Sequence, residues 1–151
     1  MEKQLKPYDV PVNSLGFCVD RLLYALIRRR NQDLREMDSD IMHSEFVVLK
    51  VLSILKGATQ TQLAQVMAKE RSGVGRLVAS LQKKGYVEIK PKNGSTNFVT
   101  LTEKGEQMKD EIVRISDMLT EQAFKGFSEK KRASILNSLH KIYENLTGDE
   151  K

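Results

Sequence analysis

The chain has 151 residues, enough for one domain with a buried core, and its 30% charged and 40% hydrophobic residues are typical of a globular protein. Its net charge of +5 favours an acidic partner, while an aromatic content of 6% without Trp argues against single-strand binding by base stacking. Apolar runs fall short of the ~20 residues that span a bilayer, the N-terminus lacks a signal-peptide core, and one cysteine cannot form an internal disulfide. We therefore expect a cytoplasmic protein without membrane contact.

Residues 1–12 contain two prolines and little periodicity, which predicts an extended arm. Asn13 or Ser14 can cap a long first helix that runs to about Met37. The apolar stripe of this helix comprises Leu15, Val19, Leu22, Leu23, Leu26 and Ile27.

Cys18 lies on the first helix. A redox-sensing cysteine needs thiolate character and access to solvent, and the nearby Asp20 disfavours the thiolate. A buried structural cysteine is therefore favoured, with a redox sensor as the alternative.

Residues 42–56 predict a second, mostly buried helix that ends at Gly57. Ala58 and Thr59 can then form a short strand that joins a sheet. The core candidates of the second helix are Phe46, Val47, Leu49, Leu52 and Leu55.

Residues 59–81 predict two short helices with a tight break between them. Thr59 can cap the first helix with its hydroxyl, and Gln62 can reach back to complete a capping box. The second helix begins near residues 70–72 and has an apolar face. Its other face carries small or cationic residues: Arg71, Ser72, Gly73, Gly75 and Arg76. Such a face suits a polyanion, because small residues let the backbone approach and arginines donate forked hydrogen bonds.

A strand pair follows the second helix directly. Gly85 ends the helix, residues 86–90 alternate as a strand, and Asn93-Gly94 within the turn segment 91–97 is a strong hairpin signal. A helix-turn-helix followed by a β-hairpin is a winged helix, whose second helix is the candidate reader of the major groove. The alternative is an ordinary helical hairpin with a solvated polar face.

Positive charge concentrates on this unit. Seven Lys or Arg and two Glu lie between Lys69 and Lys92, a surplus of five that equals the net charge of the whole chain. This distribution is typical of a nucleic-acid binder. A winged helix for protein or RNA contact is the alternative, but the flanking helices favour a duplex with two-fold sites over single-stranded RNA.

The remaining segments predict two amphipathic helices. Thr102 can cap one that runs to about Lys125, and Ser128 can cap the last. Their apolar residues at helical spacing are Met108, Ile112, Ile115, Leu119, Ile135, Leu139, Ile142 and Leu146. Apolar helices on both sides of a DNA reader favour a dimerisation element, and the alternative is that they cover the reader's own back.

The sequence thus predicts a mainly α fold with a small β-hairpin wing, as a single domain over residues 1–151. The winged helix-turn-helix occupies residues 42–102. Long helices at 12–37 and 103–147 form the predicted dimerisation element.

This order of elements resembles the MarR family of winged-helix bacterial transcriptional regulators. The similarity is close from Ser44 to Gly105, and the flanking helices are similar by pattern only. The matching residues include Arg71-Ser72, Val74, Arg76-Leu77, Lys83-Lys84-Gly85-Tyr86-Val87 and Leu101-Thr102-Glu103-Lys104-Gly105.

The resemblance implies a homodimeric repressor that binds a roughly palindromic operator in double-stranded DNA. The DNA-binding residues that it implies lie at the start of the first short helix, on the reading helix and at the wing tip: Thr61, Gln62, Arg71, Ser72, Gly73, Gly75, Arg76, Lys92, Asn93, Gly94 and Ser95. Many members release DNA when a small phenolic or anionic ligand binds, or when a cysteine is oxidised. The resemblance therefore implies an effector of that chemistry, with Cys18 as the redox alternative.

Three departures from the family pattern stand out. The wing loop is about two residues shorter and lacks the usual Asp and Arg. Gly73 and Gly75 stand where the family often has Ser or Thr, and each interior Gly costs a helix ~1 kcal/mol relative to Ala, so we expect a loose reading helix. Met42 replaces the usual Thr cap, so we expect the second helix to begin at Ser44.

Enzyme chemistry finds no support in the sequence. P-loop, GxGxxG, GxSxG and HExxH motifs are absent. His43 and His140 lie far apart, without Cys, Asp or Glu at metal-ligand spacing. We therefore expect no catalysis, no metal and no cofactor.

Overall fold

The computed structural model describes residues 14–93 and 96–148. Within these residues seven helices and three strands follow in the order α1 (Leu15–Glu36), α2 (His43–Leu55), β1 (Ala58–Thr59), α3 (Gln60–Met67), α4 (Arg71–Lys83), β2 (Val87–Asn93), β3 (Thr96–Leu101), α5 (Glu103–Gln107), α6 (Lys109–Ala123) and α7 (Glu129–Thr147). The predicted mainly α fold with a small β wing is confirmed. The predicted arm over residues 1–12 lies outside the described residues.

Side-chain caps begin the helices where the sequence predicts them. At α1, Phe17 N donates to Ser14 Oγ at 3.4 Å. At α3, Gln62 N donates to Thr59 Oγ1 at 3.1 Å and Thr59 N donates to Gln62 Oε1 at 2.9 Å, which is the predicted capping box. At α7, Lys131 N donates to Ser128 Oγ at 3.3 Å. Each cap satisfies a first-turn N–H that has no partner inside its helix.

The second helix begins at His43, so the predicted start at Ser44 is wrong by one residue. Two side chains replace the missing Thr cap. Glu45 Oε2 accepts from Met42 N at 2.9 Å, and Asn31 Oδ1 of α1 accepts from His43 N at 2.9 Å. Because one of these acceptors lies on another helix, the local pattern of residues 42–45 could not indicate it.

The helix predicted from Thr102 to about Lys125 is divided at Met108 into α5 and α6. Gly105 N donates to Thr102 Oγ1, and Gly105 lies so close to the Tyr86 carbonyl oxygen that an added Cβ would overlap that oxygen. Met108 N then bonds Gly105 O at 3.2 Å in a tightened last turn. Packing of α5 against Tyr86 therefore interrupts a helix that its own periodicity would continue.

The described strands form one antiparallel sheet in the order β1–β3–β2. Val99 of β3 pairs with Ala58 on one side and with Ile89 on the other. The strands extend into the predicted turn segment 91–97, because Pro91 pairs with Asn97 and Asn93 with Thr96. The predicted turn segment is therefore too long, because β2 extends to Asn93 and β3 begins at Thr96.

One hydrophobic core joins the winged helix, which includes α2, to α1 and α6. Its fully buried members include Leu34, Phe46, Leu49, Leu52, Leu63, Val74, Val78, Leu81, Val99, Ile112 and Ile115. The prediction that Phe46, Leu49 and Leu52 belong to the core is confirmed. Leu55 is 47% exposed and Val47 is only half-buried, so those two core assignments are wrong.

The chain divides into two compact units between Ser116 and Asp117. In the second unit Arg132 Nη1 pairs with Glu121 Oε1 at 2.8 Å, and its guanidinium lies 5.2 Å from the Phe124 ring centroid. Phe127 packs edge-on against Phe124 at 6.0 Å. These contacts stabilise the turn between α6 and α7. No described helix is both long enough and apolar enough to cross a membrane.

Candidate nucleic-acid interface

Helices α3 and α4 form a helix-turn-helix. Helix α3 ends at Met67 and is followed by Ala68, which has a left-handed backbone with φ of 49°, and α4 begins at Arg71. Val74, Val78 and Leu81 are fully buried and fix the inner face of α4. With 3.6 residues per turn, Ser72, Arg76 and Ala79 fall on the opposite face, and all three are exposed.

The predicted site residues on the two helices lie at the surface. Arg71, Ser72 and Arg76 are exposed within the first two turns of α4, and Gly73 and Gly75 are half-buried. On α3, Thr61 and Gln62 are exposed.

The predicted wing-tip residues fall at or beyond the edge of the described residues. Lys92 and Asn93 belong to the backbone of β2, whereas Gly94 and Ser95 lie outside the described residues. Their part in DNA binding stays a prediction.

The two glycines of α4 leave its backbone open. A Cβ atom added to Gly73 would approach only Arg76 Nη2, at 3.9 Å, and one added to Gly75 would lie 3.5 Å from Gln60 Oε1. Both distances are ordinary van der Waals separations. Packing within the chain therefore does not require glycine at either position.

The C-terminal end of α4 is fixed by a buried carboxylate that sequence reasoning missed. Glu45 is 4% exposed, and its Oε1 accepts from Ser80 Oγ at 2.6 Å and from Lys84 Nζ at 2.9 Å. Lys84 Nζ also donates to Glu45 Oε2 at 2.7 Å. Burial by itself would raise the pKa of Glu45, but the hydrogen bonds from Lys84, Ser80 and the Met42 backbone outweigh burial and lower the pKa below its ordinary value.

Further contacts extend from Lys84 to the base of the wing. Lys84 Nζ donates to Asp40 O at 2.5 Å, and Tyr86 Oη donates to Asp40 Oδ1 at 3.0 Å. Burial, followed by the hydrogen bond to Asp40, raises the pKa of Tyr86 to about 12. The anchor cluster, as we name it, comprises Asp40, Glu45, Ser80, Lys84 and Tyr86.

Two side chains that follow the wing satisfy carbonyl groups at the end of α4. Lys104 Nζ donates to Lys84 O at 2.8 Å and lies 4.0 Å from the Tyr86 ring centroid. Thr102 Oγ1 donates to Gly85 O at 2.6 Å. The last carbonyls of a helix lack partners within it, so these donors hold α5 against the end of α4.

A weak signal for the anchor cluster exists in the sequence. Glu45 is the one acidic residue in the mostly apolar helix α2, and a buried carboxylate needs a partner. The sequence does not identify the partner, because Lys84 lies 39 residues away.

His43 and Arg30 form a second polar contact, at the start of α2. Arg30 Nη1 donates to His43 Nδ1 at 3.0 Å, and the guanidinium lies 4.8 Å from the Phe46 ring centroid. Burial lowers the pKa of His43, and the positive charges of Arg30 and Lys69 lower it further. A neutral His43 is therefore the form that accepts from Arg30 and joins α1 to α2.

Cys18 is exposed, so the favoured interpretation of a buried cysteine is wrong for the single chain. The first turns of α1 extend beyond the core, to which this helix contributes Leu34 as its buried residue. Cys18 lines an open groove of about 310 Å³ with Phe17, Arg21 and Leu22. Among the described residues, no three His, Cys, Asp or Glu side chains converge on a site that could hold a metal ion.

The chain is similar in sequence and in fold to known proteins. Residues 39–94 match the MarR family. The "uncharacterized HTH-type transcriptional regulator YybA" of Bacillus subtilis is 25% identical over 114 residues, which cover 74% of this chain and 76% of that protein.

Two solved structures share the fold. A putative MarR family transcriptional regulator from Listeria monocytogenes, complexed with a 26mer DNA, superposes with a TM-score of 0.82 at 24% identity and covers 89% of both chains. Bordetella bronchiseptica BpsR, whose DNA binding is regulated by 6-hydroxynicotinic acid, superposes with a TM-score of 0.79 at 21% identity, over 92% of this chain and 99% of that one. The likeness in fold therefore extends well beyond residues 39–94.

Proposed function

Since residues 39–94 match the MarR family, we propose that this chain is a DNA-binding transcriptional regulator of that family and acts as a homodimeric repressor. Each subunit uses α4 to recognise one half of a pseudo-palindromic operator in double-stranded DNA. The observation that carries this proposal is the exposed face of α4, which bears Arg71, Ser72 and Arg76 and lies opposite the face that the core buries.

The chemistry of that face fits the major groove. An α-helix fits within this groove, where arginine can donate two hydrogen bonds to guanine and serine can bond to several bases. Gly73 and Gly75 have no side chains to hold the α4 backbone away from the duplex. Thr61 and Gln62 contact phosphates, and Lys92, Asn93, Gly94 and Ser95 contact the DNA backbone at the wing tip.

Apolar side chains on the terminal helices support the homodimer. On α1, Leu15, Val19, Leu22 and Leu23 are 40–50% exposed. On α7 the exposed apolar residues are Leu136, Leu139, Tyr143 and Leu146. Full burial of one such side chain is worth ~1.5–3 kcal/mol, and contiguous exposed apolar surface usually marks an interface. A two-fold dimer presents two α4 helices to half-sites ~34–36 Å apart.

An effector completes the proposal. BpsR responds to 6-hydroxynicotinic acid, a small anionic aromatic compound, and we assign a ligand of that class to this chain. By linkage, a ligand that weakens operator binding must bind the DNA-free dimer more tightly than the DNA-bound dimer. Equal ligand affinity with and without the operator would disprove this regulation.

Exposure of Cys18 supports redox release as a second candidate. In that case mild oxidation weakens operator binding by the natural protein and leaves a Cys18→Ser variant unaffected. Equal sensitivity of the two proteins would exclude Cys18 as the sensor.

DNA binding is tested with two duplexes of equal length, one from upstream of the protein's own gene and one of random sequence, across a series of salt concentrations. We expect tighter binding to the upstream duplex and a steep decrease of affinity with salt, because phosphate contacts release counterions. Equal affinity for both duplexes would leave only a basic surface without specificity, and no binding to either would refute the function.

The dimer is tested by sedimentation of the natural protein and of a Leu22→Glu variant. We expect a dimer that the variant converts to monomer, since the new charge would be buried in the interface. Ile54→Glu is the matched control, because Ile54 is an exposed apolar residue of α2 outside the proposed interface. Dissociation of both variants would refute the assigned interface.

A further inference from the structure

The first residue of α3 lies against the open side of α4. Gln60 is half-buried, and its Oε1 lies 3.5 Å from the position that a Cβ of residue 75 would occupy. The neighbouring Gln62 differs, because its Oε1 is bound to the backbone of Thr59. Within residues 14–93 and 96–148, the structure gives the Gln60 amide no hydrogen bond or ion pair.

We infer that Gln60 is a further specificity-determining residue of the DNA interface. Its carboxamide lies beside Gly75, next to the exposed face of Ser72 and Arg76, and supplies a polar group that α4 lacks at position 75. This inference rests on the proposed DNA-binding function.

The amide group suits base recognition. It carries both a donor and an acceptor, and the bidentate pairing of Gln is with N6 and N7 of adenine in the major groove. The inference therefore assigns preference for an A·T pair at one position of each half-site.

The glycine at position 75 leaves room for this arrangement. A single Cβ at 3.5 Å would only touch the amide, so alanine is compatible with it. A threonine would place further atoms in the volume that Gln60 occupies. Gly75 lowers the stability of α4 as a helix, and the space that it leaves open is occupied by a side chain of α3.

The experiment measures dissociation constants for the operator and for a panel of its single-base-pair variants. We expect the natural protein to lose about 5- to 150-fold affinity when the assigned A·T pair is changed. Gln60→Ala reduces this discrimination to less than about 2-fold and preserves discrimination at the other positions. The matched control is Gln65→Ala, since Gln65 is an exposed glutamine of the same helix and should preserve the full pattern.

A further variant tests the role of position 75. Gly75→Thr should lose the same discrimination although Gln60 is present. Thermal unfolding of Gln60→Ala should match that of the natural protein, because no side-chain hydrogen bond is removed.

The outcomes separate the inference from the function on which it rests. If the natural protein discriminates among the duplexes and Gln60→Ala shows an identical pattern, Gln60 is not a base reader and the inference is overturned. A uniform loss across all duplexes overturns it as well, because that is the effect of a phosphate contact. If the natural protein binds no duplex, both the inference and the proposed function are overturned.

Discussion

The two ends of α4 are built differently. At the N-terminal end, Glu70 makes no side-chain capping bond, Arg71 and Ser72 are exposed, and a glycine follows at position 73. At the C-terminal end, Lys84 is bound to the buried carboxylate of Glu45. The N-terminal end thus presents exposed side chains, and the C-terminal end is fixed by the anchor cluster.

Because its two ends differ in this way, α4 can be held in a fixed orientation and still adapt to a partner at its N-terminal end. The anchor cluster and the buried apolar face determine the direction of α4, while Arg71, Ser72 and Arg76 in its first two turns remain exposed. In the proposed function the exposed side chains of those turns become ordered on the duplex, and their ordering costs part of the binding free energy. The following predictions test the two ends separately.

The largest effect is expected at the anchored end. Lys84→Met leaves the Glu45 carboxylate buried without its partner and should lower the free energy of unfolding by about 3 kcal/mol, measured by urea denaturation. The control is Lys83→Met, because Lys83 is the exposed neighbour and should change stability by less than ~0.5 kcal/mol. Equal losses in the two variants would show that the anchor cluster does not fix this end.

The next effect concerns DNA binding by the N-terminal end of α4. Arg76→Ala should weaken operator binding by ~1–3 kcal/mol, because a forked donor to base or phosphate is removed, and should leave the dimer mass unchanged. Arg28→Ala removes the same charge from an exposed site on α1 and should have little effect on affinity. Unchanged affinity of Arg76→Ala would mean that α4 is not the reading helix.

A smaller effect on stability is expected from helix propensity at the N-terminal end of α4. Gly73→Ala should raise the free energy of unfolding by ~0.5–1 kcal/mol, because the added methyl group enters open space and alanine loses less backbone freedom. Ala79→Gly, at an exposed position of the same helix, should lower it by a similar amount. Destabilisation by Gly73→Ala would show that residue 73 is packed rather than open.

The smallest effect is a pH dependence away from both ends. Because the folded pKa of His43 is lowered, the unfolded chain binds a proton that the native state excludes. This contribution is fully present above the ordinary histidine pKa of about 6.5 and is lost as pH falls through the lower folded value. His43→Gln should flatten the dependence of the unfolding free energy on pH below about 6.5, and the matched control is His140→Gln, at an exposed site of α7. Identical profiles for the two variants would contradict the assignment.

The sequence predicts those parts of the fold that depend on neighbours along the chain. The capping box of Thr59 and Gln62 spans three residues, and Gly85 has the positive φ of 81° expected after a helix. Such contacts form wherever the local backbone is helical, so residue type and spacing suffice to indicate them.

Contacts between distant segments account for what the sequence did not predict. The bond between Glu45 and Lys84, the Asn31 cap of α2 and the break between α5 and α6 each depend on how elements pack. Periodicity identifies the apolar stripe of α1, but it cannot say whether the chain's own core or a second chain covers that stripe.

The candidate site likewise has a part that local sequence predicts and a part that depends on packing between helices. Residue types and helical spacing predict the exposed face of Arg71, Ser72 and Arg76, which the structure reproduces. They do not indicate Gln60, because its position beside Gly75 results from the packing of α3 against α4.

The edges of the sheet have a consequence for solubility. In the described sheet, one edge is β1, which has only two residues, and the other is β2, where Pro91 provides no backbone N–H and Lys90 is exposed. Short, proline-containing and charged edges resist the strand addition that leads to aggregation. Strand pairing between the sheets of separate molecules is therefore disfavoured even at high concentration.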